Sequence, residues 1–115
     1  MAAFAWMAAL PAGAALAFGP VPGAGTLEWK FATGNRVWSS PAMSPDGSVV
    51  YVGSNDDSLH AVHAADGTAA WKFATRQEIV SSPALSPDGS TVYAGSLDDN
   101  LYAVHAADGT AARKP

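Results

Sequence analysis

The chain has 115 residues, of which 14 % are charged, and it carries a net charge of −4 with no cysteine. This length predicts one small domain, and the absence of cysteine excludes disulfides and thiolate metal sites. The acidic balance, with no basic cluster larger than Arg113-Lys114, argues against a nucleic-acid partner.

Residues 1–25 form an apolar leader that is rich in Ala, Gly and Pro and has no charged side chain. Small residues such as those at Ala15-Leu16-Ala17 are typical of a signal-peptide cleavage region, but no Lys or Arg precedes the apolar run. Pro11 interrupts this run, which is short for a membrane span of about 20 apolar residues. An export signal or weak membrane anchor, a disordered leader and a misplaced start site stay open. A cleaved signal would favour an extracytoplasmic or secreted location.

Residues 29–70 and 71–112 are two copies of one 42-residue unit, identical at 31 positions and different at eleven. Self-similarity at a period of this length is the signature of a repeat architecture. Each copy predicts four short strands, because runs rich in β-branched and aromatic residues alternate with turn residues. In the first copy the strands are predicted at Val37–Met43, Ser48–Gly53, Leu59–His63 and Thr68–Thr75.

The turns between these runs carry Ser-Pro-Asp-Gly, Asn-Asp-Asp and Asp-Gly, and no helical periodicity is present. Four antiparallel strands in 42 residues match the size of a propeller blade. We therefore predict an all-β fold with two four-stranded antiparallel blades over residues 26–112. WD-repeat propellers have a similar period, but their Gly-His and Trp-Asp dipeptides are missing here.

The run from Val92 to Val104, together with the Asp-Gly turn and Trp71-Lys-Phe73, resembles the PQQ-like (pyrroloquinoline quinone type) β-propeller repeat. The resemblance implies a docking motif in which a Trp wedges between adjacent blades. In the second copy Arg113 replaces this Trp, and His63 and His105 stand where the family prefers Asp. We expect both His side chains to make a turn or blade-to-blade hydrogen bond. The predicted blade-docking residues are Trp29, Ala61, Gly67, Trp71, Ala103 and Gly109.

The two copies do not contain two complete blades. Residues 26–33 are predicted as a lone fourth strand at the start, and residues 113–115 form a truncated tail where the last fourth strand would run. Two blades leave apolar faces and strand edges without neighbours, whereas propellers close with about 4–8 blades. We therefore expect either a fragment of a longer propeller or a protomer that assembles.

Eight of the eleven differences between the copies fall in or beside the loops at one end of the predicted sheets. These are the second-to-third and fourth-to-first loops, which share an end in an up-and-down meander. A binding face explains this clustering, because specificity is carried by loops on a rigid scaffold. Drift of exposed loops after duplication explains it as well. The candidate interaction residues are Asn35, Arg36, Trp38, Asn55, Asp56, His60, Arg76, Gln77, Glu78, Asp98, Asn100 and Tyr102.

Catalytic and metal sites find little support in the sequence. The Asp56-Asp57 and Asp98-Asp99 pairs suit turns better than Ca²⁺, because adjacent carboxylates point apart and no further oxygen ligand is spaced nearby. His60 and His63 lie on opposite faces of one strand, and Ser39-Ser40 has no catalytic His-Asp partners. We predict a non-catalytic scaffold without cofactor that binds a protein partner or further propeller blades.

Two alternatives to a non-catalytic scaffold remain. In the first, the chain is a fragment of a PQQ/Ca-dependent quinoprotein dehydrogenase; in the second, it is a propeller appendage of a larger multidomain enzyme. Under the first alternative the chain would share in binding pyrroloquinoline quinone and Ca²⁺. Two nearly identical blades do not supply the unlike residues that such an asymmetric site requires.

Overall fold

The computed structural model describes residues 25–113, and the leader prediction for residues 1–24 lies outside this range. Within it, eight β-strands form two four-stranded antiparallel sheets and no helix is present. No helix in the described residues is long and apolar enough to cross a membrane. The predicted fold class is thus confirmed: the repeat builds two sheets, and the fourth strand of the first sheet, Ala69–Ala74, runs from the first copy into the second.

Both sheets are simple meanders in which each strand pairs with the next along the chain. The first sheet, blade 1, and the second, blade 2, have the same register between equivalent strands. Blade 1 contains β1 (Ala42–Met43), β2 (Val49–Gly53), β3 (Ser58–His63) and β4 (Ala69–Ala74). Blade 2 contains β5 (Ala84–Leu85), β6 (Thr91–Gly95), β7 (Leu101–His105) and β8 (Ala111–Arg113).

The first strand of each blade is shorter than predicted. A run over Val37–Met43 was expected, but only Ala42 and Met43 pair with β2. Pro41 has no N–H to donate, so the ladder does not continue through it. The Ser39 hydroxyl takes the place of a ladder partner, since its Oγ accepts from the Gly53 N–H at 2.8 Å and donates to the Gly53 carbonyl at 3.1 Å.

The core lies between the two blades. Because side chains alternate across a strand, one face of blade 1 presents Tyr51, Leu59 and Ala61 to blade 2, and each is at most 2 % exposed. Burial of each large apolar side chain contributes about 1.5–3 kcal/mol. The facing core residues are Val92, Ala94 and Val104 of blade 2, with Ile79 of the connecting loop.

The turns at one end of the sheets are held by short side chains. The Asp46 carboxylate accepts hydrogen bonds from the Ser48 N–H at 3.0 Å and from the Ser48 and Ser44 hydroxyls, each at 2.7 Å. These bonds lower the pKa of Asp46 to about 2. Asp88 makes the equivalent bonds in blade 2 and its pKa is likewise about 2. This chemistry explains why the copies are identical at this end.

The two incomplete fourth strands have different outcomes. The prediction of a strand over residues 26–33 is wrong, because the segment is not a strand and pairs with no strand of residues 25–113. The physical reason is that no third strand lies beside it within the described residues. In the last fourth strand, three residues of β8 are described where β4 has six, and the predicted tail over residues 113–115 extends beyond the described residues.

Candidate interaction surface

Blade docking by Trp appears twice with nearly the same geometry. The Trp71 Nε1–H donates to the Ala106 carbonyl at 2.8 Å, and the Trp29 Nε1–H donates to the Ala64 carbonyl at 2.8 Å. Each indole also packs on the turn glycine of the blade it contacts, Gly109 and Gly67 respectively. Both glycines have φ near +75°, so they provide the turn and leave room for the ring.

The predicted hydrogen bonds of the His63 and His105 side chains do not form within the described residues. Both residues are exposed. Their backbones make the turn instead: the His63 N–H donates to the Thr68 carbonyl at 2.8 Å, and its carbonyl accepts from Gly67 at 2.9 Å. The turn is thus closed by backbone groups that any residue can supply, which is why His serves where the family prefers Asp.

The predicted variable end is a contiguous surface. In blade 1 the Asn55 N–H donates to the Arg36 carbonyl at 2.8 Å. This bond joins the loop between β2 and β3 to the loop that precedes β1. The equivalent bond in blade 2 runs from the Leu97 N–H to the Glu78 carbonyl at 2.9 Å. Loops that are distant in sequence therefore meet at one end through the same backbone bonds in both copies.

An Asp carboxylate clamps each pair of loops. Asp56 accepts from the Gly34 N–H at 2.9 Å and the Ser58 N–H at 3.0 Å, and its Oδ2 lies 2.8 Å from His60 Nε2. Burial opposes ionisation of Asp56, but the bonds from Gly34, His60 and Ser58 outweigh it and lower the pKa of this carboxyl. The Phe31 ring packs edge-on against the His60 ring, with centroids 5.6 Å apart.

Blade 2 builds the same clamp with a different side chain. The Tyr102 hydroxyl donates to Asp98 Oδ2 at 2.5 Å, and the Arg76 and Asn100 N–H groups donate to the same carboxylate at 3.2 and 3.0 Å. The Tyr102 hydrogen bond lowers the pKa of Asp98, and the same bond raises the pKa of Tyr102. His60 and Tyr102 are thus equivalent partners of the clamping carboxylate, and this structural role was missed in the sequence. The signal was present, as both lie four residues after the Asp.

The twelve candidate residues lie at one end but divide by exposure. Trp38 is the most prominent exposed residue, with 65 % of its surface accessible. The exposed candidates are Asn35, Arg36, Trp38, Arg76, Gln77 and Asn100. The partly or fully buried candidates are Asn55, Asp56, His60, Glu78, Asp98 and Tyr102. The exposed set offers a partner the most surface, the partly buried residues offer less, and His60 is buried.

A cleft between the blades at the invariant end was not predicted. Its lining includes Asp46, Asp88 and Asp108 together with His105. Each of these carboxylates accepts hydrogen bonds from hydroxyl and N–H groups of its own turn. No group of three or more metal-ligating side chains suited to an ion occurs in residues 25–113. The recurrence of Asp-Gly turns at the 42-residue period is the signal that would have indicated this cleft.

These features define a class: two consecutive β-propeller blades docked through Trp residues. A family model described as "Outer membrane protein assembly factor BamB" matches residues 17–112. The chain therefore belongs to this family of PQQ-like repeat proteins. No curated protein sequence matches the chain.

A solved structure supports the fold. The crystal structure of BamB from Moraxella catarrhalis superposes with a TM-score of 0.66 at 18 % sequence identity. The match covers 74 % of this chain and 25 % of that protein, so the chain spans about a quarter of its length. At this identity the likeness shows the β-propeller fold.

Proposed function

We propose that the chain is a non-catalytic β-propeller module that binds a protein through its variable loop end. The observation that carries the proposal is the contrast between backbone and side chains at this end. The backbone hydrogen bond that joins the two loops recurs in both copies, from Asn55 to Arg36 and from Leu97 to Glu78, while eight of the eleven sequence differences lie in or beside these loops. A rigid scaffold with variable loops is a common way to present binding residues.

The chemistry of the exposed residues suits a protein partner. Trp and Arg are the residue types most enriched at the energetic centres of protein interfaces. Trp38 and Arg36 are both exposed on the loop that precedes β1, and Arg76 is exposed on the loop between β4 and β5. An apolar pocket for the indole, flanked by carboxylates for the two guanidinium groups, is the complementary surface expected on the partner.

The family name supports the class of partner. The family model and the structural neighbour are both described as BamB, and the model is described as an outer membrane protein assembly factor. We extend this role to the present chain: it binds a protein that takes part in assembling outer membrane proteins. The non-catalytic part of the proposal is supported by the near identity of the blades, which place like residues at equivalent positions.

Site-specific photo-cross-linking in cells that express the chain tests the binding end. A cross-linker at Trp38 is expected to capture a defined protein that one at Ala107 does not. Ala107 lies in an exposed turn at the opposite end and is the matched control. The affinity of the captured protein for the purified chain is then measured by calorimetry.

Two variants decide between a binding face and loop drift. Trp38→Ala is expected to lower the affinity at least tenfold, because interface Trp residues often contribute about 2 kcal/mol or more. The exchange Arg36→Glu with Glu78→Arg is expected to lower it as well, since it reverses the local charge order. If both variants bind like the parent chain, the loop end is not the binding face and the differences are drift.

A further inference from the structure

Equivalent apolar residues in the two blades differ strongly in exposure. Tyr51 and Leu59 of blade 1 are 2 % and 0 % exposed, whereas Tyr93 and Leu101 of blade 2 are 40 % and 72 % exposed. Blade 2 covers the first pair, and no described residue covers the second pair in the same way. The outer face of blade 2 therefore has the same composition as a face that the molecule buries elsewhere.

The sheet edge beside this face is open as well. β3 pairs with β4 from Ser58 to Val62, whereas β7 pairs with β8 at Ala103 and Val104 in the part of the chain that the structure describes. Within the described residues, the backbone of Leu101 and Tyr102 has no strand partner on this side. An open edge with unpaired N–H and C=O groups is a template for another strand.

The segment over residues 29–34 has the complementary property: it is placed like a fourth strand, but no described residue forms a third strand beside it. Trp29 repeats the 2.8 Å hydrogen bond of Trp71, and the Phe31–His60 ring distance of 5.6 Å matches the 5.5 Å between Phe73 and Tyr102. Its docking on blade 1 thus reproduces the docking of β4 on blade 2. Its other backbone edge pairs with no strand among residues 25–113.

We propose that the chain associates head to tail with a second copy of itself, in which residues 29–34 of one copy become the fourth strand of blade 2 of the other. The register of β3 with β4 determines the expected pairing. The equivalent pairs are Trp29 with Ala103, Lys30 with Tyr102, Phe31 with Leu101 and Ala32 with Asn100. The incoming strand occupies the position of β8 and displaces it, exchanging two paired positions for at least four.

The second copy is the favoured occupant because this chain carries both halves of the contact. The outer face of blade 2 in one copy then lies against Val50 and Val52 in blade 1 of the other, which are partly buried in the single copy, beside the already buried Val62. Val50 and Val52 are the repeat equivalents of Val92 and Ala94, which belong to the core that buries Tyr51 and Leu59 within the chain. The contact joins two different surfaces, so it builds rings or open chains, not a two-fold dimer. It uses sheet faces and edges and does not depend on the exposed loop residues of the proposed function.

Disulfide trapping tests the register, because the chain has no cysteine of its own. Two variants, Ala32→Cys and Asn100→Cys, are made separately and mixed under mild oxidation. Both positions are exposed, and the equivalent pair Ala74 and Ser58 lies directly opposite in β4 and β3. We expect a mixed disulfide dimer to form at least tenfold faster than in a mixture of Ala32→Cys with Ala107→Cys. Equal rates in the two mixtures would overturn the proposal.

Sedimentation equilibrium over a range of concentrations tests the apolar face. The parent chain is expected to increase in mass with concentration, and Leu101→Glu is expected to remain monomeric. Leu101 is 72 % exposed, so this substitution leaves the fold of the single copy intact. The matched control is Ala107→Glu, because its equivalent Ala65 stays exposed even though blade 2 packs on blade 1. A parent chain that is monomeric at every concentration, or a Leu101→Glu variant that assembles like the parent, contradicts head-to-tail association.

Discussion

At the scale of single residues, hydrogen bonds to carboxylates account for much of the local order. Asp46 and Asp88 gather N–H and hydroxyl donors within the Ser-Pro-Asp-Gly-Ser turns, and Asp56 and Asp98 hold together loops that are 22 residues apart. The exchange of His60 for Tyr102 keeps the contact with the clamping carboxylate. This difference between the copies does not change the fold, because His60 and Tyr102 each contact the Oδ2 atom of the equivalent carboxylate.

The turn carboxylates predict a specific dependence of stability on pH. Asp46 has a pKa of about 2 in the folded chain and 3.8 without its hydrogen bonds. Its contribution is therefore complete above pH 3.8 and is lost as the pH falls through 3.8 towards 2, because the unfolded chain takes up the proton first. The double variant Asp46→Asn with Asp88→Asn should be less stable near neutral pH and lose less stability over this acid range.

Urea unfolding at a series of acid pH values measures this effect. Asp99→Asn is the control, since the Asp99 side chain makes no hydrogen bond within the described residues and Asn tolerates its positive φ of 75°. The control should keep the acid slope of the parent chain. An unchanged slope in the double variant would show that these turn bonds do not lower the carboxyl pKa.

At the scale of elements, the glycine of one hairpin turn takes part in the contact between blades, whereas the glycine of another does not. Gly109 closes the β7–β8 turn with φ of +75°, and a Cβ there would lie 2.6 Å from the Trp71 ring. Gly47 closes the β1–β2 turn with φ of +77°, but a Cβ there would meet only the Met43 sulfur at 3.9 Å. Substitution of Gly47 therefore tests backbone strain alone, whereas substitution of Gly109 tests backbone strain together with blade docking.

We expect Gly47→Ala to lower the free energy of unfolding by about 1–2 kcal/mol, the cost of a left-handed conformation for an L-residue. Gly109→Ala should lose this amount and more, because the methyl group also displaces the Trp71 indole. Chemical denaturation followed by Trp fluorescence measures both losses and the environment of the indole. Equal losses with unchanged fluorescence would mean that Trp71 does not depend on the space above Gly109.

At the scale of the whole molecule, the position of a residue in the stack of blades determines how much it contributes to the free energy of unfolding. Leu59 and Leu101 are repeat equivalents, but only Leu59 is enclosed between two blades. Leu59→Ala is expected to lower the free energy of unfolding by about 2–5 kcal/mol, whereas Leu101→Ala should change it by about 0.5 kcal/mol or less in the single copy. Thermal unfolding at low protein concentration compares the two.

Similar losses for the two variants at low concentration would show that the face of blade 2 is covered in solution even there. The low concentration separates this measurement from self-association. The same comparison at high concentration should bring the two losses closer together, since a second copy would then bury Leu101.

Most of the fold was predictable from the sequence because the deciding signals are local. The turns at Ser44–Gly47 and Asp66-Gly67 and the β-rich runs between them determined the strand number and order, and the repeat doubled each signal. The errors fall where a strand depends on a neighbour. Residues 26–33 have strand-like composition, but no third strand lies beside them in residues 25–113. The strand predicted over Val37–Met43 is shortened by Pro41 and the Ser39 hydroxyl.

The candidate site was predictable in position but not in detail. The sequence placed its residues at one end, and the structure joins those loops through bonds such as Asn55 N–H to the Arg36 carbonyl. Sequence differences alone did not separate the exposed Arg36 and Trp38 from the buried His60. This separation depends on where each side chain lies relative to the clamping carboxylate and the Phe31 ring, which no spacing rule encodes.

By itself, the sequence determined that the chain is built from two closely similar four-stranded units and that one end of them varies. Turn chemistry and strand periodicity are properties of neighbouring residues, so they can be recognised without a structure. Only the tertiary structure decided that Tyr51 is core while Tyr93 is surface, although both stand in the same motif. Burial depends on what is stacked against a face, and that is a property of the assembled blades.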